Sequence, residues 1–316
     1  MDFRTVWGSK RACGVVLAAA LCVFSNGCLG QISKHATALS EATAPVVDQA
    51  EAAYQAANII HEKRTDFDAI AAFDKTEPVY NPRTALPLLT GADIDARLTV
   101  LKAFQSYVQL LVQITNGTDS PALDADSASL GGSLAGLGNT IAPAPKETIT
   151  DLTPASTISK QTQNLMSAGA DALGQFLVYR VVKKDLPAKV IELDPKVQKL
   201  CELMASDVDA LHDAEEKDFD SVIDHETLYL RDPNVKMSTE ERREAIMKLP
   251  ELGREQDEAD AQLTRLKSAI VKLELTHHAL AAEAQGNNPE SLKNKLGDLV
   301  AAGKQLGTFY GSLSKK

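Results

Sequence analysis

Residues 259–280, ADAQLTRLKSAIVKLELTHHAL, carry the clearest coiled-coil pattern in this protein. Their apolar positions recur at alternating spacings of four and three residues through three heptads, the period of an α-helix packed along a narrow seam. The positions on this seam are Ala259, Leu263, Leu266, Ile270, Leu273, His277 and Leu280. No part of the chain shows sustained apolar/polar alternation with β-branched enrichment, so the sequence predicts an all-α protein.

Similar seams lie on both sides of this stretch. The first long helix is expected to begin near Thr43, and Phe67 and Ile70 are expected to continue its apolar face. Its main seam is Val46, Ala50, Ala53, Ala57 and Ile60. Further seams fall within residues 94–111, 158–177, 197–222 and 292–313. The pattern predicts five long and two or three short helices in one elongated antiparallel bundle, with coiled-coil-like seams crossing near 20°.

Local signals suggest where these helices begin. Capping boxes open two of them, at Thr90–Asp93 and at Ser238–Glu241. Pro187 is expected to end the third long helix, and Asp194–Pro195 to cap and open the fourth. Pro250 is expected to start or kink the longest helix, which carries the quoted stretch.

Two segments are predicted as loops. Residues 74–91 contain three prolines, and residues 117–155 are rich in Gly, Ser, Ala and Pro. Within the second loop, the run SLGGSLAGLG at 129–138 has leucines at helical spacing. It is interpreted as a short packed helix or a mobile loop, with a membrane-contacting tongue, as in helical pore-forming toxins, as the alternative.

The N-terminal residues have the features of an export signal. Arg4, Lys10 and Arg11 precede a short apolar run over 12–24, and small or polar residues then lead to Cys28. A cysteine directly after a small residue at the cleavage point resembles the lipidation signal of bacterial lipoproteins. The resemblance covers about the first thirty residues, and no family is recognised in the rest of the chain.

The resemblance implies a definite organisation of the chain. Residues 1–27 would be a cleaved signal peptide, Cys28 would carry the acyl chains, 28–42 would be a tether, and 43–316 one helical domain. Because Leu29 is not Asp, analogy with enterobacterial lipoproteins points to the outer membrane, facing the periplasm. Ordinary cleavage near Gly27 is one alternative and would give a soluble periplasmic or secreted protein. An ordinary N-terminal helix that is not an export signal is the other.

The cysteines separate these two forms. Cys13 and Cys22 lie in the signal peptide, which leaves Cys28 and Cys201 in the mature chain. If Cys28 is lipidated, Cys201 is a lone thiol, and its place in an apolar seam predicts a buried small hydrophobe. If Cys28 is free, a disulfide between the two is possible in an oxidising compartment.

The charge of the mature chain excludes some partners. Removing residues 1–27 takes away three basic residues and one acidic one, which leaves 30 basic and 42 acidic residues and a net charge of −12. This balance argues against nucleic-acid binding and against electrostatic docking on anionic lipid. Membrane attachment would therefore depend on the acyl chains.

The strongest concentration of charge lies in residues 202–226, which hold ten Asp or Glu and a single Lys. Asp209, Asp213, Glu216 and Asp220 share one helix face. A solvated acidic face is the plain interpretation. A basic partner surface, such as the lysines of the last helix, and a weak Ca²⁺ or Mg²⁺ site are the alternatives.

The sequence contains no recognisable catalytic motif or cofactor-binding motif. None of the six histidines has zinc-type spacing, and His277 is expected to be a hydrogen-bonded residue of the helical seam. The leading hypothesis is a non-enzymatic, lipid-anchored scaffold or adaptor that binds another envelope protein, with no cofactor and no small-molecule substrate. The alternatives are a secreted toxin-like or immunity-type protein, and a metal-binding protein or enzyme using the acidic helix.

Overall fold

The computed structural model describes residues 12–74, 87–116, 173–176, 185–286, 294–302 and 304–305; side chains in its first helix are described from residue 34 to residue 70. Four long helices account for most of these ranges, and no strand occurs within them. The helices are α1 (Ala12–Asp74), α2 (Gly91–Asn116), α3 (Leu186–Arg231) and α4 (Thr239–Ala284). The predicted all-α bundle is confirmed.

The helices alternate in direction along the bundle. His35 contacts Glu283 and Lys63 contacts Glu255, so α1 and α4 run antiparallel over this length. Helix α1 packs against each of the other three, and the α3–α4 hairpin has the most extensive contact of any pair. The result is an up-down-up-down arrangement, in which α3, with 46 residues, is about 69 Å long.

The predicted seams form the core. On α1, α3 and α4 nearly all the seam residues are buried, including His277 and Cys201, so the prediction of a buried thiol at Cys201 is confirmed. Ile70 is different, because its side chain is 50% exposed. Asn58 exchanges hydrogen bonds with the backbone of Leu89, which places the start of α2 beside residue 58. Ile70 lies three turns beyond that point, where α2 no longer covers α1.

The predicted tether over 28–42 is wrong for the part whose side chains are described. Residues 34–42 belong to α1, and Ala36, Leu39 and Ala42 are buried in the core. Thr43 does not cap a helix; its hydroxyl donates to the carbonyl of Leu39 within the continuous helix. These three apolar residues extend the seam toward the N-terminus, and their burial favours helix over a solvated linker.

The predicted starts of two later helices are also corrected. Helix α3 begins at Leu186 with Pro187 in its first turn, where the missing N–H costs little, so the predicted start at Asp194–Pro195 is wrong. The predicted end of the preceding helix lies outside the described residues. Pro195 lies inside α3 and Pro250 inside α4, and both helices continue through them. Burial on both sides of Pro195 outweighs the loss of one backbone hydrogen bond there.

Both predicted capping boxes are present. The Ser238 hydroxyl accepts from the Glu241 N–H at 3.2 Å, and the Glu241 carboxylate accepts from the Ser238 N–H at 2.7 Å. Thr90 and Asp93 make the same reciprocal pair at the start of α2. Each box satisfies N–H groups that have no partner within the helix.

Several predictions fall outside the described residues. They concern the third helix over 155–184 apart from 173–176, the loop 117–155 with its Gly-rich run at 129–138, and the last-helix positions 292, 306 and 313. Within the described part of that last helix, Leu296 and Leu299 are buried as expected. None of the helices described here combines the length and the apolar character that a bilayer crossing requires.

Candidate functional site

A buried hydrogen-bonded chain joins three helices in the half of the bundle nearer to Cys28. Tyr107 of α2 lies 2.9 Å from Nε2 of His277 on α4, and Nδ1 of His277 lies 2.9 Å from Oδ1 of Asp194 on α3. The second oxygen of Asp194 contacts Nδ1 of His278 at 2.7 Å. Because a carboxylate only accepts, both histidines donate to Asp194, and with a neutral His277 the Tyr107 hydroxyl donates to Nε2.

The electrostatics of this chain stabilise the Asp194 carboxylate. Burial raises its pKa, but the hydrogen bonds from His277, His278 and Gln198, together with electrostatic attraction to His277, outweigh burial and hold the pKa below its ordinary value. Burial and the nearby Asp194 charge raise the pKa of Tyr107 far above that of a free phenol. The network thus combines a charged carboxylate with a phenol that does not ionise.

Carboxylate, imidazole and hydroxyl in series form the arrangement of a catalytic triad. Here the side chains of Tyr107 and His277 are wholly buried, and the rings of Phe104 and Phe176 pack against Tyr107 at 5.8 and 4.8 Å between centroids. A hydroxyl without solvent exposure and with a raised pKa is a poor nucleophile. We therefore interpret the chain as a structural link, in agreement with the expectation of a hydrogen-bonded seam histidine at position 277.

The four acidic residues that the sequence places on one helix face, Asp209, Asp213, Glu216 and Asp220, have different contacts in the structure. All four are exposed on α3. Asp209 forms a 2.7 Å ion pair with Lys267, and Asp220 accepts from Gln256 at 3.3 Å, both across the hairpin. Asp213 and Glu216 instead lie with His212, and one potential ligand atom from each of the three falls within 4.8 Å of the others.

A cavity of about 330 Å³ lies between α3 and α4 beside this cluster. Its lining is acidic: four carboxylates, one imidazole and one amide, with no lysine or arginine. The lining residues are His212, Glu215, Glu216, Phe219, Gln256, Asp257, Ala259 and Asp260. Nε2 of His212 hydrogen-bonds to Oδ1 of Asp260, so the imidazole and a carboxylate meet across the two helices.

Glu215 is the unusual residue of this cavity. Its side chain is 3% exposed, and its Oε1 atom has no hydrogen-bond partner. Burial, opposed in part by His212 and reinforced by Asp218 and Asp260, raises its pKa to about 7. A buried carboxyl group without a partner is costly when it is ionised.

Sequence reasoning missed Glu215, His212 and Asp260 as parts of one site. His212 and Glu216 are four residues apart on a helix, a spacing visible in the sequence, but Asp260 joins them only through the register of the hairpin. Asp194 was interpreted as a helix cap, and nothing in the sequence indicates its contact with His277, 83 residues away. The proposed lipidation site, Cys28, lies within the span of α1, and its side chain is outside the described residues.

No protein-family model, curated protein or solved structure matches this chain.

Replacing Asp194 tests the structural role of the buried chain. We expect Asp194→Ala to lower the free energy of unfolding by about 3 kcal/mol, because His277 loses its acceptor in the core. In the wild type this stabilisation is present above the ordinary pKa of 3.8 and is lost as the pH falls toward the lowered pKa. Urea denaturation at pH 7 measures the change.

The matched control is Asp209→Ala, which removes an exposed acid of the same helix, and its cost should stay within about 1 kcal/mol. Equal effects of the two variants would contradict a structural role for the Asp194 network.

The raised pKa of Glu215 predicts an unusual dependence of protein stability on pH. Its folded pKa of about 7 is above the unfolded value, so the folded state holds an extra proton between pH 4.5 and 7, and stability falls as the pH rises through this window. Glu215→Gln should match the wild type at pH 4 and exceed its free energy of unfolding by about 3 kcal/mol at pH 8.

Urea denaturation in EDTA at several pH values measures this difference, with Glu216→Gln, an exposed neighbour, as the control. Parallel pH curves for the wild type and Glu215→Gln would show that Glu215 titrates normally.

Proposed function

We propose that the mature protein is a non-enzymatic helical scaffold of the cell envelope, attached to a membrane through acyl chains on Cys28 and binding a protein partner through the end of the α3–α4 hairpin. The observation that carries this proposal is a group of exposed apolar side chains at the end of the bundle opposite to Cys28. The N-terminal signal and the net charge of the mature chain also support it.

The hairpin tip is defined here by Leu228 and Tyr229 at the end of α3 and Ile246 and Met247 near the start of α4. Leu228 is 65% exposed and Met247 is 70% exposed. Single exposed apolar residues are ordinary on protein surfaces, but a group of large ones is typical of an interaction site. Most of the large exposed apolar residues of the described ranges are in this region of the molecule.

The register of the hairpin brings the four residues of the hairpin tip together. Asp220 meets Gln256, and Arg242 donates to the carbonyl of Leu230. In an antiparallel pair these contacts place Leu228 level with Ile246, and their neighbours Tyr229 and Met247 within the same turn. The hairpin tip therefore presents its apolar side chains at one height along the bundle.

The hairpin tip and Cys28 are at opposite ends of the molecule. The contacts of His35 with Glu283 and of Lys63 with Glu255 fix the alignment of α1 with α4. On that alignment Ile246 lies level with residue 72, so the axial separation from Cys28 is about 65 Å at 1.5 Å per residue. A membrane anchor at one end would hold the hairpin tip well away from the bilayer surface.

The chemistry of the hairpin tip favours a protein as partner. A mature chain with a net charge of −12 is repelled by anionic lipid, which argues against a second membrane as the target. Adjacent apolar positions on two helices suit the groove or helix face of another protein. Tyr229 adds a polar hydroxyl to an apolar body, a combination enriched at protein interfaces.

The anchor is tested by the intact mass of the mature protein extracted from its own cell envelope. We expect the mass of residues 28–316 plus acyl chains, and Cys28→Ala should release the protein from the membrane fraction. A bare peptide mass, two hydrogens lower if Cys28 and Cys201 are joined, would contradict lipidation and favour the soluble alternative.

The partner-binding surface is tested by placing a photo-crosslinking amino acid at position 247 in living cells. We expect a defined adduct with an envelope protein, since Met247, at 70% exposed, is the most exposed residue of the hairpin tip. The matched control is position 59, because Ile59 is also a large exposed residue, at 56%, but lies beside the start of α2. Met247→Glu should abolish co-purification of the crosslinked protein without lowering the melting temperature.

Adducts of equal yield from positions 247 and 59, or none from position 247, would contradict binding through the hairpin tip.

A further inference from the structure

We infer that one divalent transition-metal ion of the zinc type binds at the edge of the α3–α4 cavity, with His212 and Glu216 from the cavity lining and the neighbouring Asp213 as its protein ligands. This inference is independent of the proposed scaffold function. It depends on three features of the molecule: the spacing of the ligands, an unpartnered buried carboxylate in the adjoining cavity wall, and the charge of that cavity.

The three ligands come from successive turns of one helix. His212 and Glu216 are four residues apart, and Asp213 and Glu216 are three apart, so all three project from the same side of α3. Their candidate ligand atoms already lie within 4.8 Å of one another. Around a tetrahedral zinc with bonds of about 2.0–2.2 Å the ligand atoms are about 3.4 Å apart, a contraction that exposed side chains can make by changing rotamer.

The donor set selects the type of metal. One imidazole nitrogen and two carboxylate oxygens are ligands that Zn²⁺ accepts with three protein residues and an open position for water. Ca²⁺ takes six to eight oxygen ligands, and Mg²⁺ requires a near-octahedral oxygen shell, so an imidazole disfavours both ions. A single straight helix supplies too few oxygens for either of them.

Glu215 is the independent sign of a ligand. It lies next to Glu216, lines the same cavity and is 3% exposed, yet its Oε1 atom has no hydrogen-bond partner among the protein groups. Native structures rarely leave a buried carboxylate oxygen unsatisfied, and a bound ion is one of the few arrangements that would satisfy it. A cation bound at this cavity would compensate the Glu215 charge.

The remainder of the cavity also favours a cation. Asp257 and Asp260 line it from the α4 side, and no lysine or arginine is among its lining residues. Lys267, seven residues after Asp260 on α4, is paired with Asp209. Asp260 contacts Nε2 of His212, and carboxylates commonly make such a contact to metal-binding imidazoles. A metal held by α3 would thus be connected to α4 through this pair.

Titration with Zn²⁺ tests the inference on the full mature protein, extracted from its own envelope, stripped with EDTA and dialysed. Isothermal titration calorimetry at pH 7 should give one saturable site, and bound Zn²⁺ should raise the melting temperature, because a ligand of the folded state stabilises it. His212→Gln and Glu216→Gln should each weaken this binding at least tenfold. His225→Gln, on the same helix beside Asp68, is the matched histidine control and should bind Zn²⁺ as the wild type does.

A second variant separates metal binding from stability. Glu215→Gln removes the unpartnered buried carboxylate and should bind Zn²⁺ more weakly than the wild type, while its metal-free form should be at least as stable to urea as the metal-free wild type. A purely structural effect would move both quantities in the same direction. Circular dichroism confirms that each variant remains helical.

Three results would overturn the inference. The first is the absence of saturable binding at Zn²⁺ concentrations up to about 100 µM, a concentration below the roughly millimolar dissociation constants of weak cation sites. The others are an unchanged Zn²⁺ affinity in both His212→Gln and Glu216→Gln, or tighter binding of Ca²⁺ than of Zn²⁺.

Discussion

The contact between Asp194 and His277 determines how the helices of this bundle are aligned. Apolar seams with a heptad period can in principle slide by seven residues and still bury leucine against leucine. A carboxylate and an imidazole in the core, 2.9 Å apart, have partners at only one alignment, because any slip leaves both polar groups unsatisfied. Arg97 and Asp207 act in the same way between α2 and α3, through two hydrogen bonds of 2.6 and 2.7 Å.

The sequence was sufficient for the helices and their buried faces, because both follow from the local period of apolar residues. It was insufficient where a tertiary contact overrides a local signal. Asp194 before Pro195 has the form of a helix start, yet α3 continues through both, and the carboxylate binds two histidines of α4. Burial of Ala36 and Leu39 likewise extends α1 through a segment whose composition suggested a tether.

The acidic helix shows the same limit at the level of the candidate site. A helical wheel places Asp209, Asp213, Glu216 and Asp220 on one face, and this placement is correct. Their separate environments depend on which residues of α4 lie opposite, and that depends on the alignment of the hairpin. Asp209 is paired with Lys267, and Asp220 accepts a hydrogen bond from Gln256. The two acids between them, Asp213 and Glu216, lie with His212.

The continuity of α1 has a mechanical meaning for an anchored protein. On the proposed cleavage, the mature chain would begin at Cys28, only eight residues before the buried Ala36, and α1 spans both positions. Because the connection between Cys28 and the bundle is short and helical, the bundle would have little freedom to tilt or to change its distance from the membrane. The molecule would then act as a rigid spacer of fixed length rather than as a domain on a flexible tether. Each heptad gained or lost from the bundle would move its far end by about 10 Å. Helix length would then be the variable that evolution adjusts to match the width of the compartment it spans.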